Sequence, residues 1–480
     1  LNWLLKIKKI DGLLFLLSIL VFIYVAIRAY TLSFTHDESV SFELIKWSSQ
    51  TRNTANHHYI NSVLMNFMRG NFGESEFVFR LPNVLSFALF LKATHLILKL
   101  FSVNNLMLII GFVLIVFNPY LLDFFSLARG YGISLGCMMM SLYFYLKNCY
   151  KEYSLYNFWF SMLFATIAIG ANLTLINFYL MIFGLQTLTV LKNNDYKFKR
   201  ILSLNFILPL IVFIYPVYLS IERLLFLSDK GELYYGVDNL FEAFQSLLLG
   251  FLYNNVDENF VNIYNTFIVI VVIVFISLLI TSVVYLALKI NRPIIQITLM
   301  LAGIVVAIYT ENLFFNAKFP FGRTALFFIP FISLMTYLFI NEIAYLLKSK
   351  LSKNLMNILF GLLIVPYFSY NLITNLNKSQ TFEWSYDADT KNIVKVILSD
   401  IANDYTPYKK YTISSNWIIA PTINYYLNSN RIPIPFVSRN GLLEESDYLI
   451  EYKSVPIQFK NFVPISHFTF TDFVVYKKID

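Results

Sequence analysis

The stretch SFTHDESVSFELIK, residues 33–46, puts His36, Asp37 and Glu38 directly after an apolar run that extends from Gly12 to about Leu32. Acidic side chains are costly beside hydrocarbon, so a pair fixed at the end of a greasy segment needs a reason. One reason is structural. Thr35 or Asp37 would cap a helix whose first turn holds Glu38 and which runs on through Val40, Leu44 and Ile45. The other is chemical, and the remainder of the chain bears on the choice.

The apolar run has many companions. Of the 480 residues, 57% are hydrophobic and 14% charged, with a mean hydropathy of +0.61. A water-soluble globule could not cover so much apolar surface, so the composition predicts a polytopic α-helical membrane protein. Runs able to cross about 30 Å of hydrocarbon lie near 12–33, 81–101, 104–122, 130–146, 155–171, 174–191, 201–221, 263–289, 294–312, 324–346 and 355–372, which predicts about eleven spans. The first is too long and too aromatic for a cleaved signal and reads as a retained anchor. Cys137 and Cys149 lie twelve positions apart on one predicted helix and read as packing residues.

Lys and Arg set the orientation, because short basic loops stay in the cytoplasm. Lys6, Lys8 and Lys9 precede the first span; Lys147 and Lys151 follow the fourth; Lys197, Lys199 and Arg200 precede the seventh; Lys289 and Arg292 follow the eighth; and Lys348, Lys350 and Lys353 follow the tenth. With eleven spans all five clusters fall on one side. The loop 34–79, the acidic loop 222–260, the segment 311–323 and the tail then face outward. Residues 1–372 thus form the membrane domain. The tail, 373–480, has the texture of a small soluble α/β domain: YTISSNW, IPFVS, DYLIEY and DFVVYKK read as strands, and DADTKNIVKVILSDIAND and APTINYYLN as helices. Its eleven basic and eleven acidic residues cancel, so the net charge of +8 belongs to the membrane part. That charge reports topology and contact with anionic lipid, not nucleic acid.

Other unusual residues share the outward side with the Asp-Glu pair. The first loop holds NHHYINSVLMNFM and then FGESEFVFRLPNVLSF; the next outer turn holds NPYLLDFFSLARGYG; a late one holds FPFGRTALFFIP. In order and spacing this series resembles the lipid-linked sugar transferases of the GT-C superfold, specifically the family 39-like group of protein O-mannosyltransferases and aminoarabinose transferases. Their acidic motif after the first span corresponds to Asp37-Glu38, their His-Pro-Pro-Leu-Tyr-like motif to His57-His58-Tyr59, their Arg-Leu-Pro to Arg80-Leu81-Pro82, and their Ala-Arg-x-Tyr to Ala128-Arg129-Gly130-Tyr131. The resemblance covers roughly residues 1–350. One departure is plain: the Pro-Pro after the histidine is missing here.

The resemblance implies a bacterial inner-membrane glycosyltransferase with its site and tail on the extracytoplasmic side. Its partners would be a polyprenyl-phosphate sugar donor, membrane lipids and an acceptor that is lipid, glycan or protein. Transfer would invert the anomeric centre, with Asp37 as general base and Glu38 beside it in the catalytic motif. His57, His58, Tyr59, Arg80, Arg129, Tyr131 and Arg323 would bind substrate; guanidinium forks suit phosphate oxygens. Glu38 or Glu43 with His57 and His58 could also ligate a divalent metal, the one cofactor worth considering. Structural readings compete at each arginine: an interfacial anchor for Arg80, an ion pair with Asp123 for Arg129, and one with Glu311 for Arg323. A transporter or flippase of lipid-linked saccharides, or an O-antigen polymerase or ligase, is the rival function. The first of these would favour charges at mid-membrane and broken helices in paired halves, whereas the charges here collect at one face.

Overall fold

The computed structural model describes residues 2–47, 54, 57–151, 153–193, 204–253, 261–288, 290–347, 349–403 and 409–479. The basic residues Lys197, Lys199, Arg200, Lys289 and Lys348 lie outside this set, as does Asn56.

Each predicted apolar run is mostly helix over its described residues. The chain enters on α1 (Asn2–Thr31), and the first loop contributes two short helices, α2 (His36–Trp47) and α3 (Tyr59–Phe72). There follow α4 (Glu76–Phe101), α5 (Asn105–Val116), α6 (Pro119–Phe125), α7 (Gly130–Tyr150), α8 (Leu155–Ala171), α9 (Ile176–Asn193), α10 (Leu204–Asp229), α11 (Leu240–Leu252), α12 (Val261–Ala287), α13 (Pro293–Phe315), α14 (Phe328–Leu346) and α15 (Lys350–Thr374). Among the described residues seven helices are long and apolar enough to cross a membrane, or eight if a bent pair counts as one span, against the eleven runs expected over the whole chain. This remains an integral membrane architecture. The bent pair is α5 and α6, turned by 64°. Asn118 causes the turn: its side chain accepts from the Leu121 amide and opens a new helix with Pro119 in the first turn, where a missing N–H costs nothing. The expected span at 155–171 forms only α8, whose 17 residues reach about 26 Å, short of the hydrocarbon thickness. The expected span at 130–146 becomes α7, buried along most of its length against α4 and α8. An apolar helix that the sequence did not announce, α11, lies in what reads as an acidic loop.

The tail forms α16 (Thr390–Asn403), α17 (Ala420–Ser429) and a four-stranded sheet. Its strands are β1 (Ile413–Ser415), β2 (Tyr448–Tyr452), β3 (Phe462–Phe468) and β4 (Phe473–Lys478), in the order β1-β2-β4-β3. β1 runs parallel to β2, and the other two pairings are antiparallel. IPFVS is not a strand. Pro433 and Pro435 remove two ladder donors within three residues, whereas the single Pro464 is tolerated in β3 because that strand is at the edge and is irregular there.

This domain is not an appendage. Phe34, Phe42, Met65, Phe79 and Ala128 of the membrane part share one buried cluster with Ile393, Ile423, Tyr425 and Tyr426 of the tail. Phe34 stacks on Tyr425 with ring centroids 3.9 Å apart, and Phe42 meets the same ring edge-on at 5.2 Å. Each such buried aromatic side chain is worth roughly 1.5–3 kcal/mol, so α2 is clamped between α4 and α17.

Candidate active site

Glu38 occupies the centre of the joint where α1 passes into α2. The sequence Thr-x-x-Glu at 35–38 forms a capping box: the Thr35 amide donates to Glu38 Oε2 at 2.9 Å, and the Glu38 amide donates to Thr35 Oγ1 at 3.4 Å. Arg80 then donates from Nε to Glu38 Oε1 at 2.8 Å and from Nη2 to Oε2 at 2.7 Å. The Ala128 amide adds a further bond to Oε1 at 2.5 Å. Both side chains are completely buried. The remaining Arg80 hydrogens reach the carbonyls of Ala29, Leu32 and Ser33, so all five guanidinium donors are engaged. Every donor of Arg80 and both oxygens of Glu38 are thus engaged within the protein. The pair joins α1, α2, α4 and the α6–α7 turn in one knot.

Asp37 points elsewhere. Its Oδ2 lies 3.5 Å from Arg129 Nη2 and 3.4 Å from Arg323 Nη2, with 8% of the side chain exposed. Arg129 is fully buried; its Nη1 donates to the Asp37 carbonyl at 3.1 Å and to Ser41 Oγ at 2.8 Å. It holds both ends of the Asp37 residue. Arg323 differs: it retains 16% exposure, lies 3.6 Å from Glu383 Oε2, and stands over the rings of Tyr235 and Trp384 at 4.4 and 5.3 Å. Burial works against its charge, but Asp37, Tyr131, Tyr235 and Glu383 outweigh that and raise its pKa above the ordinary arginine value. A short 3₁₀ turn, Gly322–Ala325, presents it. Gly322 has φ +50°, and a Cβ there would sit 2.7 Å from Glu383 Oε1, so glycine is needed for both conformation and space.

Neither ion pair anticipated for these arginines forms. Asp123 is bound by Arg28, the Tyr253 hydroxyl and the Phe382 amide, and Glu311 accepts from Asn177 at 2.9 Å. Two acidic residues that the sequence did not single out complete the surroundings. Glu383 accepts from the Tyr120 hydroxyl. Asp387 accepts from the His36 amide at 2.6 Å and from Thr422 Oγ1 at 3.0 Å, and its burial pushes the carboxyl well above the ordinary value. Both come from the tail, in TFEWSYDAD, and only their neighbours in space mark them.

The histidines separate. His58 is buried, with Nδ1 2.8 Å from the Ala171 carbonyl oxygen and its ring edge-on to Tyr131 at 4.8 Å. His57 is half-buried, and Tyr59, edge-on to it at 6.4 Å, is 63% exposed. The structure does not bring Tyr59 into the buried cluster. Among the described residues no three His, Cys, Asp or Glu side chains gather as a metal group. Glu43 faces Arg439 at 3.9 Å, and the Glu38 oxygens are occupied, so these residues do not fit a divalent ion.

No family model matches the chain, and no curated protein matches it by sequence. Solved structures do. ArnT from Cupriavidus metallidurans in the apo state superposes with a TM-score of 0.54 over 99% of this chain and 98% of that one, at 12% identity. The same protein bound to undecaprenyl phosphate does so with a TM-score of 0.54 over 98% of each, at 13% identity. The chain has the ArnT fold. That is the GT-C architecture expected from the motif order, and the likeness to ArnT spans the C-terminal domain as well as the helices.

Proposed function

We propose that this chain is a membrane glycosyltransferase that takes a sugar from a polyprenyl-phosphate carrier and delivers it to an extracytoplasmic acceptor. The observation that carries this is the Asp37 carboxylate set between two guanidinium groups, at the end of the bundle covered by the C-terminal domain, in the fold of an ArnT that binds undecaprenyl phosphate.

In this reading Asp37 removes the proton from the acceptor hydroxyl or amine as that atom attacks the anomeric carbon, while the bond to phosphate oxygen breaks on the opposite face. A single displacement inverts the centre. The departing phosphate gains charge and needs a fixed cation but no acid. Arg323 is that cation, because it retains exposure and its fork can meet phosphate oxygens in pairs. Arg129 keeps Asp37 aimed. Tyr131, beside His58, forms the wall on the α7 side. The isoprenoid tail stays in the bilayer and the sugar at its outer edge, with the site at the outer face of a bacterial inner membrane. Deleting the gene and tracing lipid-linked sugars by mass spectrometry tests the reading: a polyprenyl-phosphate sugar should accumulate and disappear on complementation. An unchanged lipid-sugar profile would reject it.

A further inference from the structure

We propose that His58 is held as the neutral Nδ1–H tautomer so that its Nε2 lone pair receives a hydroxyl hydrogen of the carbohydrate in the site. The inference rests on the transferase reading and names which chemistry of the substrate this residue meets.

The tautomer follows from geometry. A carbonyl oxygen can only accept, so the 2.8 Å contact with Ala171 requires the hydrogen on Nδ1. Burial, assisted by Arg129, drives the imidazole well below its ordinary pKa and leaves Nε2 unprotonated. That nitrogen is buried and has no hydrogen-bond partner among the described residues, while 7% of the residue is exposed. An unmade bond at a buried acceptor costs about 1–3 kcal/mol, which a bound donor group would recover. The arrangement is built, not incidental. A Cβ on Gly130 would fall 1.9 Å from the Ala171 oxygen and 2.9 Å from His58 Nδ1, so only glycine lets α7 and the end of α8 close around the ring. Tyr131, the next residue, fixes the ring from its edge. His58 also lies within the electrostatic reach of Asp37 and Arg129. The ionised phosphate of a lipid-linked sugar, a diester, cannot satisfy Nε2, because both accept; a sugar hydroxyl can. The hydroxyl belongs to the sugar being transferred or to the acceptor.

Two variants of the full-length protein in nanodiscs test this. His58→Asn keeps a donor for Ala171 and removes the ε acceptor; His58→Gln puts an oxygen near the ε position and loses the Ala171 bond. The probes are undecaprenyl phosphate and the lipid-linked sugar fraction extracted from cells lacking the protein. Binding of undecaprenyl phosphate, which has no carbohydrate hydroxyl, should be equal in all three proteins when measured at about pH 8, where the phosphate is fully ionised. If the donor sugar supplies the hydroxyl, His58→Asn weakens binding of the lipid-linked sugar by about tenfold, and His58→Gln recovers part of it. If the acceptor supplies it, binding of the lipid-linked sugar is equal in all three proteins, KM for acceptor rises in His58→Asn, and His58→Gln again recovers part. A His58→Asn protein equal to wild type in both arms, or a His58→Gln protein no better than His58→Asn, overturns the proposal. Wild-type protein that binds no lipid-linked sugar would instead reject the transferase reading itself.

Discussion

Asp37 and Glu38 are neighbours in sequence and have opposite fates, because consecutive residues in a helix's first turn point about 100° apart. Glu38 turns into the knot with Arg80, and Asp37 turns toward Arg129 and Arg323. Removing one member of a fully buried ion pair strands the other, at about 3–5 kcal/mol. Glu38→Ala and Arg80→Ala should therefore be recovered in low folded yield with a lowered melting temperature by size-exclusion and thermal-shift assays, whereas a catalytic Glu38 would give a stable but inactive protein. The two arginines on Asp37 should also separate. Arg323→Ala should weaken binding of undecaprenyl phosphate by roughly 1.5–3 kcal/mol, the scale of a charge-assisted bond. Arg129→Ala should leave that affinity closer to wild type and lower turnover. Equal losses of affinity in both would return the phosphate to a two-arginine site. A helix start capped by Thr35 or Asp37, with Glu38 in the first turn, was readable from the sequence, since it depends on spacing alone; the structure selects Thr35. The partner of Glu38 was not: Arg80 lies 42 positions away and becomes its neighbour only through the packing of α4 on α1.

At the level of elements, α2 is held from below by the Glu38–Arg80 knot and from above by the tail, through Asp387 on the His36 amide and Tyr426 on the Phe34 amide at 2.7 Å. The helical runs were legible because an apolar period survives any tertiary arrangement. The clamp was not, since TFEWSYDAD has no periodicity and Glu383 and Asp387 read as ordinary loop acids. β3 was missed for a related reason: Pro464 argues against a strand unless the strand is known to be at an edge. A test at this scale uses pH. A carboxyl with a raised folded pKa binds its proton more tightly in the folded state, so the stability it contributes is present below the ordinary carboxylate value and is lost as pH rises toward the folded one. Asp387→Asn has no such loss. Its melting temperature relative to wild type should therefore increase from pH 4 to pH 8; a difference independent of pH would show that Asp387 is not protonated in the fold.

For the whole molecule, the shared aromatic cluster makes the C-terminal domain part of the site, so a chain ending at Thr374 should fail to accumulate in folded form. The orientation proposed from the basic loops can be read by cysteine labelling in a background without Cys137 and Cys149. Reagent from outside should reach Glu444→Cys and not Ser349→Cys, both exposed positions, and the reverse pattern would invert the assignment. The chemistry itself is tested most directly by single-turnover transfer from the lipid-linked sugar fraction by purified wild-type and Asp37→Asn proteins. A lost general base predicts a fall of about 10²- to 10⁴-fold with folding and donor binding intact. An Asp37→Asn protein that retained more than about a tenth of wild-type turnover would contradict the account.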